Sequence, residues 1–396
     1  MQAALRTRHQ AARPVATVAA VLAIGYFAVL WWLTFWPGEL QDAQVYLRAG
    51  RDVLDGQDIY QLRAALPYTY PPFWALICAP LGWLPPTLAT IVFGLGSLGL
   101  CWWLLARLRP TGSRAWIWLA FAALSAPIGR SLYLGQVNPW IVALLLGDAL
   151  VVPLALRGIG TGLAAAIKVT PAFLALTFLV QRDWRSVARC AGAFALVTGL
   201  AFVALPDASR EYWGGLLWES SRVGDLAYPD NQSLLGLFSR LVDPGPATLL
   251  ARLASLVVLV ACWRAVVVQH RRGAALAALA AAGIGSVLIS PVSWSHHWIW
   301  LVVVSALMWR SGRPVWSLAL LAPLVATPLW LAEQVLPGVP LPHLVRGLVL
   351  SLPVLAGIAC LAALARNRAP AARAKVGPGI PLVVGDHHVA VDNHSG

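Results

Sequence analysis

Charge is scarce in this sequence. Only 11% of its 396 residues are Asp, Glu, Lys or Arg, where soluble globular domains carry roughly 25%. The shortage excludes an ordinary soluble domain. No stripe of basic and aromatic residues suited to a phosphate backbone is present, so the net charge of +13 does not point to nucleic acid as a partner. Cysteine is sparse too. The five, Cys78, Cys101, Cys190, Cys262 and Cys360, lie in or beside apolar runs with no CxxC pair. They are expected to be buried, inert thiols rather than disulfides or zinc ligands. No internal repeat is visible. Residues 14–36 lack a small-residue cleavage site and are too long for a cleaved leader, so they read as a retained first span.

What is abundant is apolar. Hydrophobic residues make up 59% of the chain, with 20 Trp and 28 Pro. Trp gathers at membrane–water interfaces, and Pro is better tolerated in membrane helices than in soluble ones. Apolar runs of about 20 residues recur, the length that crosses about 30 Å of hydrocarbon. The expectation is an all-α polytopic protein of the cell membrane, surrounded by membrane lipids.

Charge placement orients it. Arg6, Arg8 and Arg13 precede the first run and put the N-terminus in the cytoplasm. Arg107 and Arg109, Arg271 and Arg272, and Arg310 and Arg313 then mark inner ends of later runs. Residues 71–85 are too short to span and read as an interfacial piece. Residues 159–181 begin and end near arginines and read as a hairpin of two half-helices broken at "KVTP", Lys168 to Pro171. The total is about 10 full spans plus that broken hairpin. Residues 1–365 form one integral-membrane unit, and 366–396 a disordered cytoplasmic tail. The two large loops, 37–85 and 206–246, both face outward, and the inner loops are too short to build a site.

The first outer loop carries "DAQVYLRAGRDVLD", residues 42–55, which reads as a short amphipathic helix closed by Gly56. Arg48 with Asp52, and Arg51 with Asp55, are spaced to pair on its wet face. Asp42 falls instead with Val45, Tyr46 and Ala49 on the packed face. Two readings stand side by side: an N-cap accepting backbone N–H bonds, or a general base held at the lipid–water boundary.

Three stretches resemble glycosyltransferase family 87. The first is "DAQVYLRAGRDVLDGQDIY…YTYPP", with Asp42, Tyr46, Gly56, Tyr60 and Tyr70-Pro71-Pro72. The second is "LGQVN" with "AAAIKVTP", carrying Gln136, Asn138, Lys168 and Pro171. The third is "YPDNQS" with "SPVSWSHHW", carrying Asn231, Gln232, Trp294, His296 and His297. The last stretch is similar to the actinobacterial polyprenyl-phosphate-mannose-dependent mannosyltransferases, those of α-(1→2) linkage in phosphatidylinositol mannoside synthesis among them. The resemblance implies a GT-C-like bundle with an acidic residue in the first outer loop, matched by Asp42. It implies inverting transfer of mannose from a polyprenyl-phosphate donor to a glycolipid acceptor on the extracytoplasmic face. No paired-acid DxD signature is present, in keeping with no metal and no cofactor.

On this reading Asp42 takes the acceptor hydroxyl proton. The leaving phosphate meets Lys168, Arg130, His296 or His297. Lys168 also reads as a snorkelling lysine, and Arg130 as the mark of a helix end. Adjacent histidines on a helix point about 100° apart, so one is expected to face the donor, His297 rather than His296, with the other packed beside Trp294 and Trp298. Gln136, Asn138, Asn231 and Gln232 either bond sugar hydroxyls or satisfy backbone groups. Tyr70 and Trp294 line the sugar or the first isoprene units. Asp148, inside a span, pairs with another polar group. A lipid-linked-sugar transporter or flippase, and an enzyme using another polyprenyl-phosphate sugar such as arabinose, remain alternatives.

Overall fold

The computed structural model describes residues 40–62, 66–219 and 224–366. The expected first span, its three preceding arginines, Arg222 (a further basic residue of the 206–246 loop expected as a weaker phosphate partner) and the tail from residue 367 lie outside the described residues.

The first described helix, α1 (Gln41–Leu54), lies against α2 (Pro72–Gly82). Gly50 lets the two touch backbone to backbone, since a Cβ there would sit 2.6 Å from the Cys78 carbonyl carbon. The N-cap of α1 is Leu40, at φ 58°, and no side chain caps the helix. Asp42 therefore sits inside the first turn rather than at the cap. The wet face also differs from expectation. Asp52 is buried, and Arg51 donates to the Leu84 carbonyl at 3.4 Å. That side of α1 is therefore partly covered by the chain around Leu84 rather than fully open.

Then follow α3 (Pro86–Leu108), α4 (Ala115–Leu124), α5 (Gly129–Leu134) and α6 (Asn138–Leu150). The hairpin expected at 159–181 is broken as read: α7 (Ile159–Ile167) stops, Lys168 is extended, and a 3₁₀ turn (Thr170–Ala175) leads into α8 (Leu176–Gln181). Pro171 has no N–H to offer the Ile167 carbonyl, so the helix cannot run through. Beyond it come α9 (Trp184–Ala204), α10 (Pro206–Gly214), α11 (Leu234–Ser239), α12 (Pro244–Arg271), α13 (Ala275–Ile289) and α14 (Ile299–Arg310). The last part is two bent pairs. α15 (Pro314–Val325) meets α16 (Pro328–Trp330, continued by a π turn) at 58°, and α17 (His343–Val349) meets α18 (Leu352–Leu364) at 65°. Among the described residues there is no strand, only one isolated bridge between Asn231 and Trp294.

Helix α13 is the centre. Ala277 to Leu288 are buried all round it, the pattern of a helix enclosed by others. Its small residues admit large neighbours: a Cβ at Gly283 would sit 2.1 Å from the Trp300 ring. The rim is the reverse. Val203 on α9 and Leu256, Val257 and Val260 on α12 are largely exposed, the surface a helix shows to lipid. All five cysteines are free, four of them buried. Among the described residues four helices are long and apolar enough to cross a membrane, or six if each bent pair is one span. Three more of the expected ten are shorter apolar helices, Asn138–Leu150, Ala275–Ile289 and Ile299–Arg310, and the first lies outside the described residues. At 1.5 Å per residue each of these three falls short of about 30 Å.

Candidate active site

Gly135, at φ 68°, ends α5, and a Cβ there would lie 2.6 Å from the Ala43 Cβ. The turn at 135–137 can therefore rest on the first turn of α1. That approach delivers Gln136, whose Nε2 donates to Asp42 Oδ2. The Tyr46 hydroxyl donates to Gln136 Oε1 at 3.3 Å and shares a hydrogen bond with the Tyr70 hydroxyl at 3.1 Å. Asp42 is thus held from behind by an amide that is itself held. Burial pushes its carboxyl above the usual range, with the Gln136 hydrogen bond and the charges of Arg130 and Lys168 opposing. A raised pKa suits a base that must take a proton near neutrality.

A cavity of about 470 Å³ opens in front of Asp42. Tyr70, Arg130, Gln136, Lys168, Trp294, His296 and His297 share its wall. With Asp42 these side chains come from five separate parts of the chain. Arg130 pairs with Asp230 at 3.5 Å, and its Nε has no hydrogen-bond partner. The Lys168 amine lies 5.6 Å over the Tyr70 ring and 2.8 Å from His297 Nε2. Burial brings it down to about 8, with Asp42 opposing. Lys168 is therefore turned inward, not snorkelling outward.

Both histidines line the cavity, where one was expected. They belong to a 3₁₀ turn (Ser295–His297) rather than an α-helix, and their rings meet at 84° with centroids 4.7 Å apart. His297 Nδ1 accepts from the Trp294 N–H at 3.1 Å. His296 is buried, and neither of its ring nitrogens has a partner. Burial first, and then the nearby Lys168, hold both imidazoles well below the usual value, hence neutral.

The remaining polar candidates stand behind the wall. Asn138 donates to the His296 carbonyl at 3.4 Å and lines a smaller chamber of about 60 Å³ next to the histidines. Asn231 accepts from the Ser293 N–H at 3.0 Å and donates to the Leu226 and Pro291 carbonyls. Gln232 donates to the Pro229 and Leu350 carbonyls, each at 2.7 Å. Both are fully buried and outside the cavity wall. Asp148 accepts from the Gly158 and Thr161 N–H groups and the Thr161 hydroxyl, so it anchors the start of α7.

Two residues went unnoticed in the sequence, and a third was noted only for its motif and its packed face. Asp230 opens the Asn231–Ser233 motif but its partner lies 100 positions away. Tyr46 looked like packing alone. Buried Arg240 donates to the Tyr228 and Asn231 carbonyls and to Ser351 Oγ, tying the Asp230 loop to the bend before α18. Only an arginine inside an apolar stretch could have flagged it. Among the described residues no three His, Cys, Asp or Glu side chains gather as a metal-ligand set.

The family model of glycosyltransferase family 87 matches residues 68–291. A polyprenol-phosphate-mannose-dependent α-(1-2)-phosphatidylinositol mannoside mannosyltransferase of Mycolicibacterium smegmatis is 33% identical over 338 residues, 75% of this chain and 76% of the relative. A pentamannoside mannosyltransferase of the same species and dependence is 30% identical over 319 residues, 75% and 76% of the two chains. The corresponding phosphatidylinositol mannoside mannosyltransferase of Mycobacterium tuberculosis is 31% identical over 351 residues, 79% and 81% of the two. No solved structure matches significantly. The family match covers most of the cavity wall, and the identity runs through most of the chain: this protein belongs to glycosyltransferase family 87 and is a glycosyltransferase.

Proposed function

We propose that the protein transfers mannose, with inversion, from a polyprenyl-phosphate donor to a glycolipid acceptor of phosphatidylinositol mannoside or lipomannan type, forming an α-(1→2) bond on the extracytoplasmic face. The observation that carries the reading is the shared cavity: one braced carboxylate, Asp42, opposite Arg130, Lys168, His296 and His297. The relatives named for polyprenol-phosphate-mannose and phosphatidylinositol mannosides supply the donor and acceptor class.

In this scheme the acceptor hydroxyl attacks the sugar C1 from the face opposite the phosphate. Asp42 takes the hydroxyl proton. Negative charge grows on the leaving lipid phosphate, where Arg130 and Lys168 supply charge and the neutral histidines supply hydrogen bonds. The scheme needs no metal, because cationic side chains take that part. Tyr70 and Trp294 offer aromatic faces to the sugar or the first isoprene units.

The outer placement rests on the arginines. Arg310 donates to the carbonyls of residues 107–109, joining two basic ends. α13 runs from beside Arg271 and Arg272 to the cavity at Ser290, and α14 runs back from the cavity to Arg310. The site thus lies at the ends opposite the basic cluster, which the positive-inside rule assigns to the cytoplasm.

The test is Asp42→Asn in detergent-purified protein given radiolabelled polyprenyl-phosphate mannose and a phosphatidylinositol mannoside acceptor. Loss of transfer with normal expression and retained donor binding is the expected outcome. Undiminished transfer sinks the assignment, and no transfer by the wild type with any mannoside acceptor sinks the substrate class.

A further inference from the structure

The hydrogen bonds around His297 fix more than its position. The Trp294 backbone N–H can only donate, and it points at His297 Nδ1 at 3.1 Å. Nδ1 therefore presents its lone pair, and the single proton of the neutral imidazole sits on Nε2. That Nε2 lies 2.8 Å from Lys168 Nζ. An ammonium has three N–H groups and no lone pair, so it cannot accept from Nε2–H. Were Lys168 to donate instead, both ring nitrogens would have to be bare, leaving an imidazolate. Were Nδ1 to hold a proton, it would face the Trp294 N–H head on. The remaining arrangement has Nε2–H donating to the lone pair of an uncharged amine.

We propose that Lys168 is an uncharged amine while it faces His297, and that binding of the anionic donor phosphate draws one proton from solvent onto it. The inference rests on the reading of the cavity as a donor-phosphate site. Burial brings the amine down to about 8, so the uncharged form that faces His297 prevails above that pH. A hydrogen-bonded neutral pair also avoids a buried cation with no ion pair: among the described residues no carboxylate lies within salt-bridge distance of Lys168.

The groups facing Lys168 come from several elements. Asp42 on α1 is the carboxylate that favours its charged form. Tyr70 presents its ring from the segment before α2. His296 and His297 lie on the α13–α14 link, and across the cavity stand Arg130 with Asp230, and Glu219. A phosphate entering between Arg130 and Lys168 adds the negative charge that restores the ammonium. Lys168 must then leave His297, because an ammonium and Nε2–H repel. Both become donors to the phosphate at once. In the empty protein above about pH 8 each occupies the other, so neither polar group is left bare. The proton returns to solvent when the lipid phosphate departs. It is separate from the acceptor hydroxyl proton, which goes to Asp42.

The experiment is calorimetric titration of the full-length wild type in detergent with farnesyl phosphate mannose, a phosphodiester that does not titrate in the range used. Binding is measured in two buffers of different ionisation enthalpy, at pH 6.5 and pH 8.5. With the amine at about 8, uptake of about three-quarters of a proton is expected at pH 8.5 and almost none at pH 6.5. Donor affinity should fall toward about tenfold per pH unit above 8 and stay flat below. Lys168→Arg, which keeps a permanent cation, should bind without uptake, and Lys168→Gln should bind weakly at both pH values. Wild-type binding without uptake at pH 8.5 overturns the proposal while the donor site stands. Uptake that persists in Lys168→Arg also overturns it. No binding of the probe at all removes the donor-site reading and the proposal with it. The wild-type measurement decides the matter even where a variant does not fold.

Discussion

The two sides of the cavity are built on opposite plans. On one side Asp42 is fastened: Gln136 donates to it, Tyr46 holds Gln136, and Tyr70 holds Tyr46. On the other side hydrogen-bonding capacity is left over. Arg130 Nε and both nitrogens of His296 have no partner, and Lys168 and His297 face each other. A group that takes one proton from one position gains from being fixed. Groups that receive a charged, variable phosphate gain from unfilled donors, at the cost of leaving buried polar atoms unpaired.

That contrast can be broken in graded steps. Asp42→Asn keeps the hydrogen-bonding shape and removes the base, so transfer should fall by about 10²–10⁴-fold while binding of farnesyl phosphate mannose persists; equal losses in both would erase the distinction between the sides. Arg130→Gln should lower kcat/KM for the donor by about 10²-fold, with Asp230 left buried and unpaired as a second burden. Gln136→Leu should cost about tenfold, the worth of one hydrogen bond to a charged group. It should also move the acid limb of the pH profile upward, because that hydrogen bond lowers the Asp42 pKa.

The wild-type profile of kcat/KM sharpens the same comparison. Activity should fall on the acid side as Asp42 gains a proton, at a pH above the ordinary carboxylate value. It should fall on the alkaline side near 8 as the Lys168 cation becomes harder to form. Smallest in effect on catalysis is Asn231→Ala. It strands the buried Ser293 N–H and should cost about 1–3 kcal/mol of stability, read by thermal unfolding in detergent, with donor KM little changed in the folded fraction. A large rise in KM at full stability would return Asn231 to the sugar site.

Much of the site was legible because three motifs carried it, and the structure folds residues of all three onto one cavity. The break at Lys168 was legible as well, since Pro171 forbids a continuous helix. Other features were not. Asp42 is one turn position inside its helix because Leu40 adopts a left-handed conformation, which no composition rule anticipates for leucine. Asn231 and Gln232 have the chemistry of sugar binders, yet the same amides serve buried carbonyls equally well. The Arg130–Asp230 pair spans a sequence distance that no helical spacing encodes. The count of full-length spans followed hydropathy, which does not register where a helix stops short to leave room for a cavity.

Arg240 and Gln232 give the site a schedule. Both sit in the 206–246 segment, yet they are completed by Leu350 and Ser351 at the bend before α18. A chain emerging from the ribosome lays down Asp42, Arg130, Lys168 and both histidines well before those last partners exist. Until the final bent pair is in place, the buried guanidinium lacks its hydroxyl acceptor and the Gln232 amide lacks the Leu350 carbonyl. The cavity's side chains are made early, and what braces the loop behind them comes last.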